Sequence, residues 1–306
     1  MTPTLPNVRI DPIDLNFQGR PQAIAAYLIR GPGAPVLVET GPGSTLPALL
    51  QGLAKYDLAP GDIRDVLVTH IHLDHAGAAG WWARLGARIH VHHIGAPHLI
   101  EPDRLLASAR RVYGDQMDAL WGEFLSAPES QVHAVGDGDT IEAGGLEFKA
   151  HDTPGHARHH HVFTLGDIAF VGDLAGVRRP GGVHVRLPTP PPEFDREAWL
   201  ASIDRIRALN LSRIYLTHYG AVDEVNAHWD VVARLLEDYT ERARSGLASG
   251  LDRDAIVADF GAWELARLDA DHVDPEAWPV YTSLGPVGMS VDGLLRYWQK
   301  RGMAPP

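Results

Sequence analysis

The chain has 306 residues, a formal net charge of −12, 17 histidines and no cysteine. It is long enough to bury a sizeable core as one large domain or a domain with an appendage, and no run of about 18 apolar residues marks a membrane-crossing helix. Without cysteine it has no disulfide, thiolate metal site or cysteine nucleophile, and an acidic chain with no lysine- or arginine-rich block is a poor match for nucleic acid, whose phosphates call for a basic surface. The opening "MTPTLPNVRIDP" lacks a basic stretch followed by an apolar core, so no signal peptide is expected and a cytoplasmic location is the default.

In chain order, residues 24–41 read as two short strands around a Gly/Pro turn. Ser44 is a candidate N-cap for a helix running to about Tyr56. "DVLVTH" (65–70) reads as a buried strand, 76–86 as a helix and 87–92 as another strand. One or two helices are expected over 97–125, where Met117, Trp121 and Phe124 are candidates to line an apolar acyl pocket. Short strands with Gly/Asp turns fill 132–156, and 160–174 reads as a hairpin turning at Gly166-Asp167. A helix capped by Asp195 spans 195–209, and "RIYLTH" (213–218) is a further strand. From about 222 to 306 only helices are expected, ending in an amphipathic one (284–301) that closes the site or pairs with a second copy in a homodimer. Mixed strands and helices followed by helices predict a layered α/β core over 1–221 with a helical C-terminal extension over 222–306.

The chemistry concentrates in "THIHLDHAG" (69–77). A spacing of two puts His70 and His72 on the same side of an extended segment, about 6.6 Å apart along it. On a helix the same spacing would turn them to nearly opposite sides. Asp74 and His75 follow in the turn after the strand, where side chains converge, and neutral imidazole with carboxylate suits Zn²⁺ and similar ions. Other apolar strands deliver one polar residue each at their C-terminal ends: "TPGH" gives His156, "FVGD" gives Asp173 and "YLTH" gives His218.

"VETG", "THIHLDH", "TPGH", "GD" and "TH" occur in an order and spacing that resembles the metallo-β-lactamase superfamily over roughly residues 20–220. Within it, the likeness is to the dinuclear hydrolase branch that includes glyoxalase II and lactonases. The resemblance implies an αββα sandwich with a metal site along one edge. His70, His72 and His156 would hold one divalent ion, Asp74, His75 and His218 a second, and Asp173 would bridge them, with a shared hydroxide completing the site. Zn²⁺ is the foremost candidate, and iron or manganese could take the same ligands. Glu39 of "VETG" stands where the family usually has Asp, and would orient a ligand histidine from behind. His160 and Tyr219 are further candidates for contact with ligands or substrate, while alternation sends His159 and His161 one way and His160 the other.

The resemblance implies a metal-dependent hydrolase of a carboxylic ester, thioester or lactone, acting through the bridging hydroxide on a small molecule, with Asp74 and Asp173 catalytic and with no nucleic acid or membrane as partner. The resistance enzymes generally lack the bridging Asp, which disfavours a true β-lactamase. Homoserine-lactone lactonases typically carry Tyr three residues after it, where this chain has Gly176. Two alternatives share part of the motif: a mononuclear iron oxygenase of the persulfide dioxygenase type, against which an intact His218 argues, and an RNase Z-like phosphodiesterase, disfavoured by the acidic balance.

Overall fold

The computed structural model describes residues 7–283 and 285–303. Residues 1–6, Leu284 and 304–306, at the edges of several expected segments, lie outside the described residues. Two six-stranded sheets form the centre. The first contains, in spatial order, β1 (Arg9–Asp14), β2 (Ala25–Arg30), β3 (Val36–Val38), β4 (Asp65–Leu67), β5 (Arg88–His92) and β6 (Val132–Val135). The second runs in reverse spatial order through β7 (Thr140–Ala143), β8 (Leu146–Asp152), β9 (His161–Leu165), β10 (Ile168–Phe170), β11 (Arg213–Leu216) and β12 (Gly220–Val222). The β3–β4, β4–β5, β5–β6 and β10–β11 pairings are parallel and the remainder antiparallel.

The strands are apolar on both faces because both faces are covered. Tyr27 and Ile29 of β2 pack between the sheets with Phe163 of β9 and Phe170 of β10. The alternate residues Ala26 and Leu28 face outward onto helices α1 (Leu46–Ala54), α2 (Leu73–Ala76) and α3 (Ala79–Arg84). The helices α4 (Ala96–Ile100), α5 (Asp103–Tyr113) and α6 (Met117–Trp121) lie between β5 and β6 in sequence. On the far side, Ile214 and Leu216 of β11 pack against α7 (Arg196–Arg207) and the long C-terminal helices α8 (Val225–Ala248), α9 (Arg253–Ala270) and α11 (Val287–Gln299), with the short α10 (Trp278–Ser283) between the last two in sequence. The result is the αββα sandwich with helices at its C-terminal end.

Helix α8 shows why these residues form a covering helix. Val225, Trp229, Val232, Leu236, Tyr239 and Ala243 recur every three or four residues and are all buried. Trp229 is fully buried, and truncating such a side chain to Ala typically costs about 3–5 kcal/mol. Asp195 caps α7 by accepting the Ala198 N–H at 3.0 Å. The hairpin turns at Gly166-Asp167 with Leu165 opposite Ile168.

Three local expectations are corrected. Ser44 caps nothing: a short 3₁₀ turn over Gly43–Thr45 precedes α1, and the Ser44 hydroxyl donates to the Leu120 carbonyl at 2.6 Å. The helix expected over 76–86 is shorter, α3 alone (Ala79–Arg84), and the turn before it that carries Asp74 and His75 is itself helical, as α2 (Leu73–Ala76). Met117 and Trp121 sit inside the core under the first sheet's outer helices, with Phe124 packed against it; tertiary packing, not a ligand, uses their apolar surface.

Candidate metal centre

β4 stops at Leu67, so Thr69, His70 and His72 lie on the extended segment that leaves it, and Asp74 and His75 on the single turn of α2. "TPGH" turns sharply at Gly155, whose φ of +140° and close approach to Trp199 leave no room for a Cβ. That turn brings His156 to the same place. Asp173 arrives in the 3₁₀ turn after β10, and His218 just beyond β11. All seven ligand-type residues therefore gather at one edge of the sandwich, in two groups: His70, His72, His156 and Asp173, and Asp74, His75 and His218.

In the first group His72 Nδ1 lies 2.9 Å from both His70 Nε2 and His156 Nε2. Asp173 spans the two groups. Its Oδ2 is 3.2 Å from His156 Nε2, while its Oδ1 is 3.2 Å from both His75 Nε2 and His218 Nε2. Asp74 Oδ2 is 3.4 Å from His218 Nε2.

The opposite ring nitrogens decide which nitrogen each imidazole presents. His156 Nδ1 donates to the Pro188 carbonyl and His218 Nδ1 to the Ala23 carbonyl, each at 2.9 Å. His75 Nδ1 lies 3.0 Å from Glu39 Oε1. The Thr69 hydroxyl gives its proton to Glu39 at 2.5 Å, which leaves its oxygen to accept from His70 Nδ1 at 3.1 Å. Each of these four rings thus turns its Nε2 toward the cluster. Glu39 is fully buried and also accepts from Thr217.

Electrostatics divides the groups. Burial, helped by neighbouring imidazoles, holds the pKa of His70 well below its usual value and takes that of His72 down to about 4. Burial works the same way on His218 and His75, but Asp173, with Asp74 and (for His75) Glu39, outweighs it: His218 is pushed up to about 9 and His75 also rises. Burial would raise the pKa of Asp173, yet His75, His218 and His156 hold it well below the carboxylate range. Charge of both signs is thus stabilised in a dry site.

The donor set fits divalent cations. His75 Nε2 and Asp173 Oδ1 are buried, 3.2 Å apart, and have no hydrogen-bond partner among the described residues. Leaving two such groups unsatisfied costs roughly 1–3 kcal/mol each; a shared cation removes that cost. Nitrogen and carboxylate oxygen are ligands of Zn²⁺, iron and manganese alike.

His160 is buried against the site: its Nε2 accepts the Asp173 N–H at 3.2 Å and its Nδ1 meets the Thr153 hydroxyl at 2.8 Å. His159 precedes β9, so strand alternation does not govern it; it lines the cleft, with Nε2 3.4 Å from Glu193. His161 points elsewhere, to Asp152 at 2.7 Å. Tyr219 is packed between the sheets and is not brought to the cleft; burial pushes its pKa up to about 12.

A third group, His92, Asp152 and His161, escapes sequence reading because its members are far apart in the chain. Its rings are stacked at 4.3 Å, 29° from parallel, which keeps any ion out of both ring planes at once. His92 Nδ1 accepts the Ile94 N–H at 3.0 Å, so its Nε2 carries the proton. This is a hydrogen-bonded triad. Thr69 and Thr217 were also missed, although each directly precedes a ligand-type histidine, in "THIH" and "LTHY".

A cleft of about 310 Å³ opens over the first group. His72, Asp74, His156 and Asp173 line it together with residues of α5 and the proline-rich segment 188–192.

The family model described as the metallo-beta-lactamase superfamily matches residues 19–218. A metallo-beta-lactamase fold-containing protein of Sulfurisphaera tokodaii is 28% identical over 206 residues, 66% of this chain and 75% of that protein. A hydroxyacylglutathione hydrolase of Xylella fastidiosa is 30% identical over 229 residues, 73% of this chain and 71% of that enzyme. Among solved structures, a metallo-beta-lactamase family protein from Thermus thermophilus superposes with a TM-score of 0.68 at 22% identity, over 97% of this chain and 95% of that one. An archaeal superfamily protein from Sulfolobus tokodaii gives 0.60 at 24% identity, over 76% and 86%.

Proposed function

The chain belongs to the metallo-beta-lactamase superfamily, and on that footing we propose that it is a dinuclear metal-dependent hydrolase of a carboxylic ester, thioester or lactone. The observation that carries the reading is the span of Asp173, with one oxygen toward His156 and the other toward His75 and His218. A complete second group, Asp74, His75 and His218, weighs against a mononuclear oxygenase. The similarity to a hydroxyacylglutathione hydrolase supports a carbonyl substrate.

His70, His72 and His156 would hold one ion and Asp74, His75 and His218 the other, with Zn²⁺ foremost. Such a pair supplies hydroxide at neutral pH and polarises a carbonyl oxygen. The protein's own residues do the remainder. The carbonyls of Pro188 and Ala23 and the carboxylate of Glu39 fix three ligand rings before substrate arrives. Asp74 lines the cleft and, beside His218, can take the nucleophile's proton and return it to the leaving group. His160 steadies the Asp173 backbone. A small-molecule substrate suits the cleft's size, and no helix among the described residues is long and apolar enough to cross a membrane.

The test is metal content by elemental mass spectrometry on chelator-free protein, with lactones, thioesters, aryl esters and phosphoesters assayed on the same sample. About two metals per chain with turnover of one carboxylic class is expected. One redox-active iron without hydrolysis would overturn the reading.

A further inference from the structure

The cleft over the ligand-type residues has one apolar wall that the described residues leave open. Leu105, Ala109, Val112 and Tyr113 recur along α5 at intervals of four, three and one, so they form one stripe. These residues line the cleft together with Arg104 and Ser108 of the same helix and with Pro188 and the prolines that follow it; Leu105, Ala109 and Tyr113 rest their other side on the core under the first sheet's outer helices. Val112 is 53% exposed and Ile94, also on the lining, 43%. Large apolar side chains left in contact with water beside the reacting groups mark a surface that gains from being covered.

Tyr113 adds a polar observation to the apolar one. Its ring is held edge-on against Trp121 at 4.9 Å, and Trp121 in turn stacks on Phe17. Among the described residues its hydroxyl donates to the Met289 sulfur of α11, at 3.8 Å. A thioether is a weak acceptor, so this half-buried O–H has no strong acceptor among the described side chains. Burial first, and the Asp74 charge second, push the pKa of the phenol up. A rigid O–H donor with no good acceptor, on the same cleft as Asp74 and Asp173, is placed to serve a ligand's oxygen.

We propose that the substrate is a carboxylic ester or thioester with an extended apolar acyl chain, that the chain lies along the α5 stripe, and that the Tyr113 hydroxyl donates to an oxygen of the reacting group. This rests on the hydrolase reading above and names its substrate class. Tyr113 touches substrate in this scheme; Val112 and Ile94 set the preference for chain length.

The experiment uses the full chain reconstituted with zinc and a series of p-nitrophenyl esters from acetate to dodecanoate. Each added methylene should raise kcat/KM about fourfold until the cleft is full, the equivalent of about 0.8 kcal/mol per buried methylene. Val112→Lys, at an exposed position, should flatten that rise. Tyr113→Phe should lower kcat tenfold or more at every chain length while leaving the slope. Calorimetry on the same zinc protein should show decanoate binding at least tenfold more tightly than butyrate, with the difference lost in Val112→Lys. Turnover with no dependence on chain length overturns the acyl assignment and leaves the hydrolase reading standing. An unchanged kcat in Tyr113→Phe overturns the role of the hydroxyl. Absence of turnover of every p-nitrophenyl ester, and of acyl thioesters and lactones assayed beside them, by protein carrying two metals overturns the hydrolase reading and this inference with it.

Discussion

Glu39 Oε1 lies 3.0 Å from His75 Nδ1, and both residues are fully buried. The same oxygen accepts from Thr69 at 2.5 Å and Thr217 at 3.1 Å. One carboxylate thus ties together the ends of β4 and β11, strands of different sheets, directly behind two ligand-type histidines. Glu39 also sits in the left-handed region, at φ +66°, so its backbone is committed to presenting this one side chain.

Glu39→Gln therefore tests whether orientation matters. An amide keeps the shape but replaces one acceptor with a donor that Thr69, Thr217 and His75 Nδ1 do not need. Loss of such supporting partners typically costs roughly 10–100-fold in metal affinity or activity. Zinc affinity by chelator competition should fall within that range. Glu39→Asp, one methylene shorter, should fall between the two. Unchanged affinity in both variants would mean that the carboxylate serves folding alone.

His70→Ala should abolish hydrolysis while leaving the fold, read as an unchanged far-ultraviolet circular dichroism spectrum. Zinc that binds the folded chain alone raises its stability by mass action, about 2.7 kcal/mol at one hundred times Kd. The wild-type protein should therefore lose melting temperature on chelation and regain it with zinc. In His70→Ala that zinc-dependent increment should shrink. Full activity in His70→Ala would sink the assignment of the first group.

Much of this centre was legible in the chain because its ligand-type residues end apolar strands, and strand ends in a layered α/β sandwich converge on one edge. HxHxDH, His156, Asp173 and His218 could be read for that reason. The residues that hold them were not. The Pro188 and Ala23 carbonyls carry no sequence signature, since any residue has a carbonyl. Tyr113 does not stand out in the chain because the segment 97–125 offers Met117, Trp121 and Phe124 as pocket residues equally well, and amphipathic spacing alone does not say which stripe meets the core and which the cleft. The helix expected over 76–86 includes Gly77 because glycine is tolerated within a helical pattern, and the turn that carries Asp74 and His75 gives no sign in the chain that it is itself helical.

Arg186 and Glu264 make a buried ion pair, with Arg186 Nε 3.0 Å from both carboxylate oxygens and Tyr239 donating to Glu264 at 2.6 Å. Pro188, whose carbonyl orients His156, lies two residues on, and Thr189 donates to the Ser290 carbonyl of α11. The C-terminal helices thus hold the segment that holds a ligand-type histidine. Glu264→Ala strands a buried guanidinium and should cost roughly 3–5 kcal/mol of stability, read as a lower urea midpoint. Zinc affinity should fall with it. A lower midpoint with unaltered zinc affinity would show that this coupling to the metal centre does not exist.

His228 of α8 sets a pH limit away from the ligands. It is buried, donates from Nε2 to the Ala175 carbonyl at 2.8 Å, and has Arg178 beside Nδ1. Burial, reinforced by the Arg178 charge and only partly offset by the Ala175 bond, takes its pKa from 6.5 down to about 4. Below about pH 6.5 the unfolded chain takes up a proton that the folded chain refuses, so stability falls as the pH falls and the loss is complete below about pH 4. Fully expressed, that difference is worth on the order of 3 kcal/mol. Urea unfolding of zinc-free protein at pH 7.5, 6 and 5 should show the decline, and His228→Gln, which keeps a donor for Ala175 but does not titrate, should make it shallower. Other buried histidines titrate as well, so the slope in His228→Gln should shrink without vanishing. An identical slope in the two proteins would mean that His228 is protonated in the folded chain as readily as in the unfolded one.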